Sequence, residues 1–241
     1  MSVERLAELI RERQPCVVLT GAGISTESGI PDFRSPTGIW ARYDPMEYAS
    51  IEAYQRDPAK VWGFYARRLD MLATAEPNAA HHALAELERC GWVDAVVTQN
   101  IDLLHERAGS QTVVEVHGSI RTSSCLQCHT RVLLADVIRL LEDASAPACP
   151  TCDNILKPDV VMFGELLPRA PIDRANVLAR GAALMLVVGS SLEVWPVAGL
   201  PLEAEAFAVV NRGPTALDDR AVLRLDAGAG DTLAALAKFL T

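Results

Sequence analysis

The chain has 241 residues, half of them hydrophobic, with 22 Lys and Arg against 31 Asp and Glu and a formal charge of −9. That much apolar material excludes a wholly disordered chain, and the length suits one large domain, alone or with a smaller companion. The acidic balance argues against a protein that coats nucleic acid, which needs a basic face, so no direct nucleic-acid binding is expected. The opening residues, MSVERLAELIRERQ, mix charge with apolar positions instead of forming a signal core. The longest apolar run, near Ala182–Val188, is far short of the ~20 residues a spanning helix needs. No membrane contact is expected, and the expected location is the cytoplasm.

Val3, Leu6, Ala7 and Ile10 recur at helical spacing, so residues 3–13 read as an amphipathic helix ended by Pro15. Cys16–Thr20 (CVVLT) reads as a buried parallel strand. The segment GAGIST (21–26) follows at once, and glycines there let the backbone approach a phosphate. A G-x-G-x-x-G fingerprint wants a small third residue where Thr26 stands, and no acidic residue closes a second strand about 20 residues on. Taken alone, the segment reads equally as a glycine-rich turn. Residues 35–74 carry Trp40, Tyr43, Tyr48, Tyr54, Trp62, Phe64 and Tyr65 and read as helical without strands.

Asn78–Cys90 reads as a helix and Ala95–Thr98 as a strand. Gln99, Asn100 and Asp102 stand at that strand's carboxyl end, the edge where open α/β sheets bind ligands. Such side chains can hydrogen-bond a ribose or an amide; an ordinary polar turn would look the same. Val113–Val116 is a further strand, followed by His117. A histidine there can serve as general base near neutral pH, although a lone histidine also packs or caps, as His81, His82 and His105 are expected to do.

Cys125-x-x-Cys128 and Cys149-x-x-Cys152 are separated by twenty residues. Two such knuckles place four thiolates around a structural zinc with no open coordination position. His129 reads as an exposed neighbour, and Cys16 and Cys90 as buried reduced thiols. Lys157–Glu165 (KPDVVMFGE) looks extended and apolar, suited to pairing with a peptide strand. Strands are expected at Leu184–Val188, Phe207–Val210 and Val222–Leu225, with helices at Arg174–Arg180, Val197–Ala206 and Asp231–Leu240, the last capped by Asp231. Gly189-Ser190-Ser191 and Asn211-Arg212 fall at strand ends. Strands alternating with helices mean an α/β fold, a parallel sheet with helices on both faces. Residues 1–34, 75–119 and 157–241 form the expected large domain. A helical insertion (35–74) and a zinc-binding insertion (120–156) form the expected small lobe.

Together, GAGISTESGIPDFR (21–34), TQNID (98–102), HERAGS (105–110), EVHGS (115–119), the cysteine knuckles, KPDVVMFGE, GSSLEVWP (189–196) and VVNR (209–212) resemble the sirtuin family of NAD-dependent protein-lysine deacylases. The matches run in family order across nearly the whole chain. The resemblance implies a Rossmann-like large domain, with NAD and an acyl-lysine protein or peptide meeting in the cleft beside the small lobe. It implies that Gly21, Ala22 and Gly23 line the phosphates, that Ser190, Ser191, Asn211 and Arg212 hold the adenosine side, and that Ala229 borders the adenine. Asp32, Phe33 and Arg34 would cover the nicotinamide ribose, Gln99 would hold that ribose, and Asn100 and Asp102 would form the carboxamide pocket. Thr26, Trp40, Ile101, Gly189 and Gly213 would complete the cofactor contacts. His117 would be the general base, and Val160, Phe163, Gly164 and Glu165 would contact the peptide.

The implied reaction has the acyl oxygen displace nicotinamide from the ribose. His117 then deprotonates a ribose hydroxyl, which attacks the bound acyl carbon, and water completes the release of free lysine and O-acyl-ADP-ribose beside the departed nicotinamide, with zinc taking no part. Tyr65 and Arg68 match a Tyr-x-x-Arg pattern that binds the carboxylate of succinyl or malonyl groups in part of the family; a guanidinium suits that task. Asp32 and Thr26 depart from that branch, so deacetylation is the main expectation. Rival readings are an NAD-dependent dehydrogenase, a non-enzymatic zinc-ribbon adaptor, and ADP-ribose transfer to protein.

Overall fold

The computed structural model describes residues 2–241. Helix α1 (Val3–Glu12) is capped by Ser2, whose hydroxyl accepts from the Arg5 amide, and it buries Leu6, Ala7, Leu9 and Ile10 on one face. Strand β1 (Cys16–Thr20) is buried along its whole length. Helical segments follow: 3-10 stretches at Ala22–Ser28 and Ile39–Ala41, the short α2 (Pro45–Tyr48) and α3 (Ile51–Arg56), and the long α4 (Pro58–Thr74). Then come α5 (Ala79–Arg89), β2 (Ala95–Thr98), α6 (Leu104–Ala108), β3 (Val113–Glu115), β4 (Gly118–Cys125), β5 (Arg131–Leu133), α7 (Leu134–Glu142) and β6 (Leu156–Val160). The chain closes with α8 (Arg169–Gly181), β7 (Leu184–Val188), β8 (Phe207–Val210), β9 (Leu223–Leu225) and α9 (Ala229–Leu240).

Six strands form a parallel sheet in the order β3-β2-β1-β7-β8-β9. Side chains alternate across a strand, and β1 shows the consequence. Cys16 and Val18 join the core with α1, α5 and α9, while Val17 and Leu19 join the opposite core with α8 and the 197–203 stretch. Connections leave β1 toward β2 on one side and arrive at β7 on the other, so the sheet has its topological switch point between β1 and β7. Ligands of open α/β sheets bind outside the carboxyl ends of strands at such a point.

A second, antiparallel sheet of order β5-β4-β6 runs between Gly118 and Val160. Its core is shared with α3, α4 and α7 through Tyr54, Trp62, Phe64, Leu69, Val137 and Leu156. Two buried donors stitch the helical segment to the entry of β6: Trp62 Nε1 donates to the Leu156 carbonyl at 2.7 Å, and the Tyr54 hydroxyl to the Ile155 carbonyl at 3.0 Å. No helix among the described residues is long and apolar enough to cross a membrane.

Four sequence expectations change. Val197–Ala206 is a 3-10 stretch ending at Glu203, because Pro201 lies inside it and has no N–H for an α-helical bond. Helix α9 starts at Ala229 with Gly228 as its cap; Asp231 lies within the first turn. Cys90 is exposed at the end of α5 and is not a core thiol, whereas Cys16 is fully buried and burial pushes its thiol up to about 12. Helix α8 also begins earlier than expected, at Arg169.

Candidate active site

Three loops meet at the switch point. The Gly23 amide donates to the Gly189 carbonyl at 2.8 Å and the Gly21 amide to the Val188 carbonyl at 3.1 Å, joining the loop after β1 to the loop after β7. A Cβ on Gly23 would stand 2.8 Å from Gly189 Cα, and one on Gly189 (φ 63°) 2.2 Å from the Ile24 amide nitrogen. These glycines therefore serve loop-on-loop contact, a use beyond the phosphate approach read from their spacing. Gln99, after β2, joins the third loop by donating from Nε2 to Ser190 Oγ at 3.0 Å. Ala22 and Thr26 lie in the 3-10 turn Ala22–Ser28, where the Thr26 hydroxyl bonds back to the Gly23 carbonyl at 2.9 Å.

Asn100 and Asp102 are buried beside this junction. Burying such groups is costly unless they are hydrogen-bonded, and both are. Asn100 Nδ2 donates to the Gly21 carbonyl and to Ser25 Oγ, each at 3.1 Å. Ser25 Oγ donates to Asp102 Oδ2 at 2.7 Å, and Asp102 Oδ1 accepts from the Leu104 amide at 3.0 Å. Burial nevertheless pushes the Asp102 carboxyl upward. The network continues through Thr20, whose hydroxyl donates to Thr98 Oγ1 at 2.8 Å and meets His105 Nε2 at 2.9 Å. The rings of His105 and His81 pack edge to face at 4.9 Å. Ser25, Thr20, Thr98, His81 and His105 thus belong to one polar cluster that no spacing in the chain announces.

His117 is half-buried, with Nδ1 at 3.1 Å from the Gln99 carbonyl oxygen. A carbonyl only accepts, so Nδ1 bears the proton and Nε2 keeps its lone pair. Burial holds this imidazole below its ordinary 6.5, partly offset by the Gln99 bond.

The segment 32–40 is laced to itself. Asp32 Oδ1 accepts from the Arg34 and Ser35 amides at 2.9 and 2.7 Å, and Arg34 pairs with Glu193 at 3.2 Å. Phe33 and Trp40 pack at 5.2 Å, and Trp40 also meets Phe64 at 5.9 Å and Phe163 at 6.2 Å. An aromatic wall thereby joins the 32–40 loop to the 160–165 segment. That segment is bonded on both sides: the Val161 amide donates to the His117 carbonyl at 2.8 Å, and the Phe163 amide to the Ala49 carbonyl at 2.9 Å. Val160 is buried, and Phe163 and Gly164 are exposed. The Glu165 carboxylate is engaged internally, with Lys157 at 2.9 Å. Ile101 is half-buried and its carbonyl accepts from the Ile120 amide at 3.2 Å.

At the far end of the junction, Ser190 is buried and Ser191 bonds Glu193. Asn211 Nδ2 donates to the Arg212 and Gly213 carbonyls at 3.0 and 3.1 Å. Ala229 opens α9, whose Gly230 amide donates to Glu27 at 3.2 Å, with Arg212 3.9 Å from the same carboxylate. On α4, Tyr65 is buried. Arg68 donates to the Phe64 carbonyl at 2.6 Å, with its guanidinium 3.6 Å from the Phe64 ring centre.

The sulfurs of Cys125, Cys128, Cys149 and Cys152 all lie within 4.8 Å of one another, with Cys125–Cys152 and Cys128–Cys149 at 3.5 Å. Four thiolates about 2.3 Å from a tetrahedral zinc would sit about 3.8 Å apart, so the cluster fits that ion. The two knuckles repeat one turn. In each, the amide four residues on donates to the first cysteine's carbonyl, His129 to Cys125 and Asp153 to Cys149, both at 3.0 Å. Both donors have positive φ, 61° and 59°. His129 is exposed and shapes the turn, outside the ligand set.

A model of the Sir2 family matches residues 21–196. The chain is 43% identical to an NAD-dependent protein deacylase of Archaeoglobus fulgidus over 96% of its own length and 93% of the relative's. It is 41% identical to an NAD-dependent protein deacetylase of Thermotoga maritima, covering 93% and 92% of the two chains. A solved structure described as Sir2 with a p53 peptide and NAD+ superposes with a TM-score of 0.92 at 38% identity, covering 99% of this chain and 98% of that one. The match runs from the glycine loop through the general-base candidate to the last residues of the 189–196 loop, and on that span this chain belongs to the Sir2 family.

Proposed function

We propose that this protein is an NAD-dependent protein-lysine deacylase, mainly a deacetylase, working in the cytoplasm. The observation that carries the reading is the junction itself. The buried Ser25–Asn100–Asp102 network and a histidine with a free Nε2 converge at the switch point of a parallel sheet. Hydroxyl, amide and single carboxylate groups suit a ribose and a carboxamide. The named activities of the 41–43% identical relatives support the same reading, as does the peptide and NAD+ of the superposed structure.

In this reading Gly21, Ala22, Gly23, Thr26 and Gly189 line the diphosphate. Ser190, Ser191, Asn211, Arg212, Gly213 and Ala229 hold the adenosine end. Gln99 binds the nicotinamide ribose, and Asn100, Ile101 and Asp102 hold the carboxamide. Asp32, Phe33, Arg34 and Trp40 cover the site and keep water from it. Bound NAD would supply the electrophilic ribose carbon and nicotinamide as leaving group. His117 takes a proton at Nε2 from a ribose hydroxyl, and its depressed pKa keeps it neutral and ready at pH 7. Val160, Phe163 and Gly164 form the ledge for the peptide. The four cysteines hold zinc away from the chemistry, in a closed thiolate shell. Residues 1–34, 75–119 and 157–241 act as the cofactor domain, and 35–74 with 120–156 as the lobe that closes over it.

Acetyl is favoured over succinyl because Arg68 already has partners. Its guanidinium lies against Phe64, 5.2 Å from the Tyr43 ring centre, and hydrogen-bonds to the Phe64 carbonyl. A clamp of Tyr65 and Arg68 on an acyl carboxylate would have to break these contacts. Comparing kcat/KM for acetyl- and succinyl-lysine peptides tests this. Acetyl should lead by about tenfold or more, about 1.4 kcal/mol; a succinyl value that equals it and collapses in Arg68→Met would overturn the preference.

A further inference from the structure

The chain has only three lysines beside nineteen arginines, and one of the three, Lys157, is buried. Its side chain is 8% exposed. An ammonium carries three N–H donors, and this one meets three acceptors: the Pro158 carbonyl at 3.0 Å, the Val160 carbonyl at 2.9 Å and Glu165 Oε2 at 2.9 Å. The same Glu165 oxygen accepts from the Met162 amide at 2.8 Å, and the Glu165 amide donates to the Met162 carbonyl at 3.0 Å. Residues 157–165 are closed around one charge.

This loop is the piece of backbone shared by three parts of the site. The Val161 amide bonds the His117 carbonyl, the Phe163 amide bonds the Ala49 carbonyl, and the Ile51 amide donates to the Phe163 carbonyl at 2.9 Å. Phe163 also touches Trp40 of the aromatic wall. Convergence of three oxygens on one point suits a compact ammonium. A planar guanidinium, whose donors diverge in a fork, suits it poorly. That accounts for a lysine here in a chain that otherwise favours arginine. Removing the charge would leave the Val160 carbonyl and a mostly buried carboxylate without their partner.

We propose that Lys157 is a positioning residue for the acyl-lysine peptide. With Glu165 it sets the shape of the 160–165 ledge, and Glu165 acts through Lys157 and the Met162 amide instead of touching the peptide. The proposal rests on the deacylase reading.

The test uses the full-length, zinc-loaded protein with Lys157→Met, Lys157→Arg, Glu165→Gln and Glu165→Ala. Steady-state rates are measured with an acetyl-lysine peptide and NAD, and amide hydrogen exchange is followed across 157–165. Lys157→Met and Lys157→Arg should both raise the peptide KM tenfold or more while leaving the KM for NAD within twofold, and should speed exchange at Met162. Glu165→Gln keeps an acceptor for the Met162 amide and should lose less than Glu165→Ala; this pair carries the test if the lysine variants fail to fold. A peptide KM within twofold of wild type, or both KM values rising together, would overturn the proposal. Unchanged exchange at Met162 in Lys157→Met would overturn the loop's dependence on the charge, whatever the activity. A wild-type chain that turns over no acyl peptide would instead overturn the deacylase reading, and the ledge's role with it.

Discussion

His117 Nδ1 and the Gln99 carbonyl oxygen are 3.1 Å apart, and this contact fixes the tautomer of the ring. The proton stays on Nδ1, and Nε2 is left basic. Because burial lowers this imidazole below 6.5, the base form predominates at pH 7 and is lost on acidification. The pH profile of kcat/KM should therefore be flat near neutrality and fall on the acid side with a midpoint below about 6.5. His117→Ala should lower kcat about 10²- to 10⁴-fold with little change in thermal midpoint. Near wild-type deacylation in that variant would remove His117 from the role of base.

Gly23→Ala should damage both stability and cofactor binding. The new methyl would stand 2.8 Å from backbone atoms of Gly189, and neither loop is free to retreat because the Gly23 amide bonds the Gly189 carbonyl. A loss of about 1–3 kcal/mol is expected, as for overpacking in a tight site. Denaturant unfolding reads the first effect and titration with NAD the second; a variant matching wild type in both would show that the junction tolerates a side chain.

The cysteine cluster should bind one zinc per chain, because four thiolates close a single coordination shell. Metal analysis checks the ratio. Cys149→Ser, at a fully buried ligand, or prolonged chelation should lower the unfolding midpoint, since structural zinc binding is folding energy. A chain that keeps its midpoint after complete metal removal would contradict a structural role.

Acid should weaken the fold before it protonates surface carboxylates. Burial holds His81 down to about 4 and His105 to about 3, with His82 adding to the first shift and His81 to the second. An unfolded histidine titrates near 6.5, so the unfolded chain binds protons that the folded chain refuses. Stability from these groups is present above about pH 6.5 and is lost as pH falls toward 4, by up to about 1.4 kcal/mol per pH unit for each histidine. Asp102, pushed upward by burial, opposes this only at the acid end. Denaturant midpoints at pH 7 and pH 5 should differ in wild type and differ less in His105→Gln.

The fold was legible where pattern and position coincide. Apolar runs such as Cys16–Thr20 and Leu184–Val188 became central strands because a parallel sheet covered on both faces needs them apolar throughout. The knuckles at Cys125 and Cys149 announced their cluster through local spacing. What could not be read was contact between residues distant in the chain. Thr20, Ser25, His81, Thr98 and His105 share one network, yet their order follows no helical or strand period. Lys157 was hidden in a segment that reads as apolar, since only the folded loop brings three oxygens to its ammonium. Cys90 departed from expectation because a residue preference for burial yields to its place at an exposed helix end.

The fate of NAD is the most direct readout of the proposed chemistry. Purified protein, NAD and an acetyl-lysine peptide should be combined and the products identified by mass spectrometry. The prediction is deacetylated peptide, nicotinamide and O-acetyl-ADP-ribose in equal amounts, with deacetylation slowed about 10²-fold or more in a His117→Ala control. NADH with no release of nicotinamide, ADP-ribose attached to the peptide, or no consumption of NAD at all would contradict it.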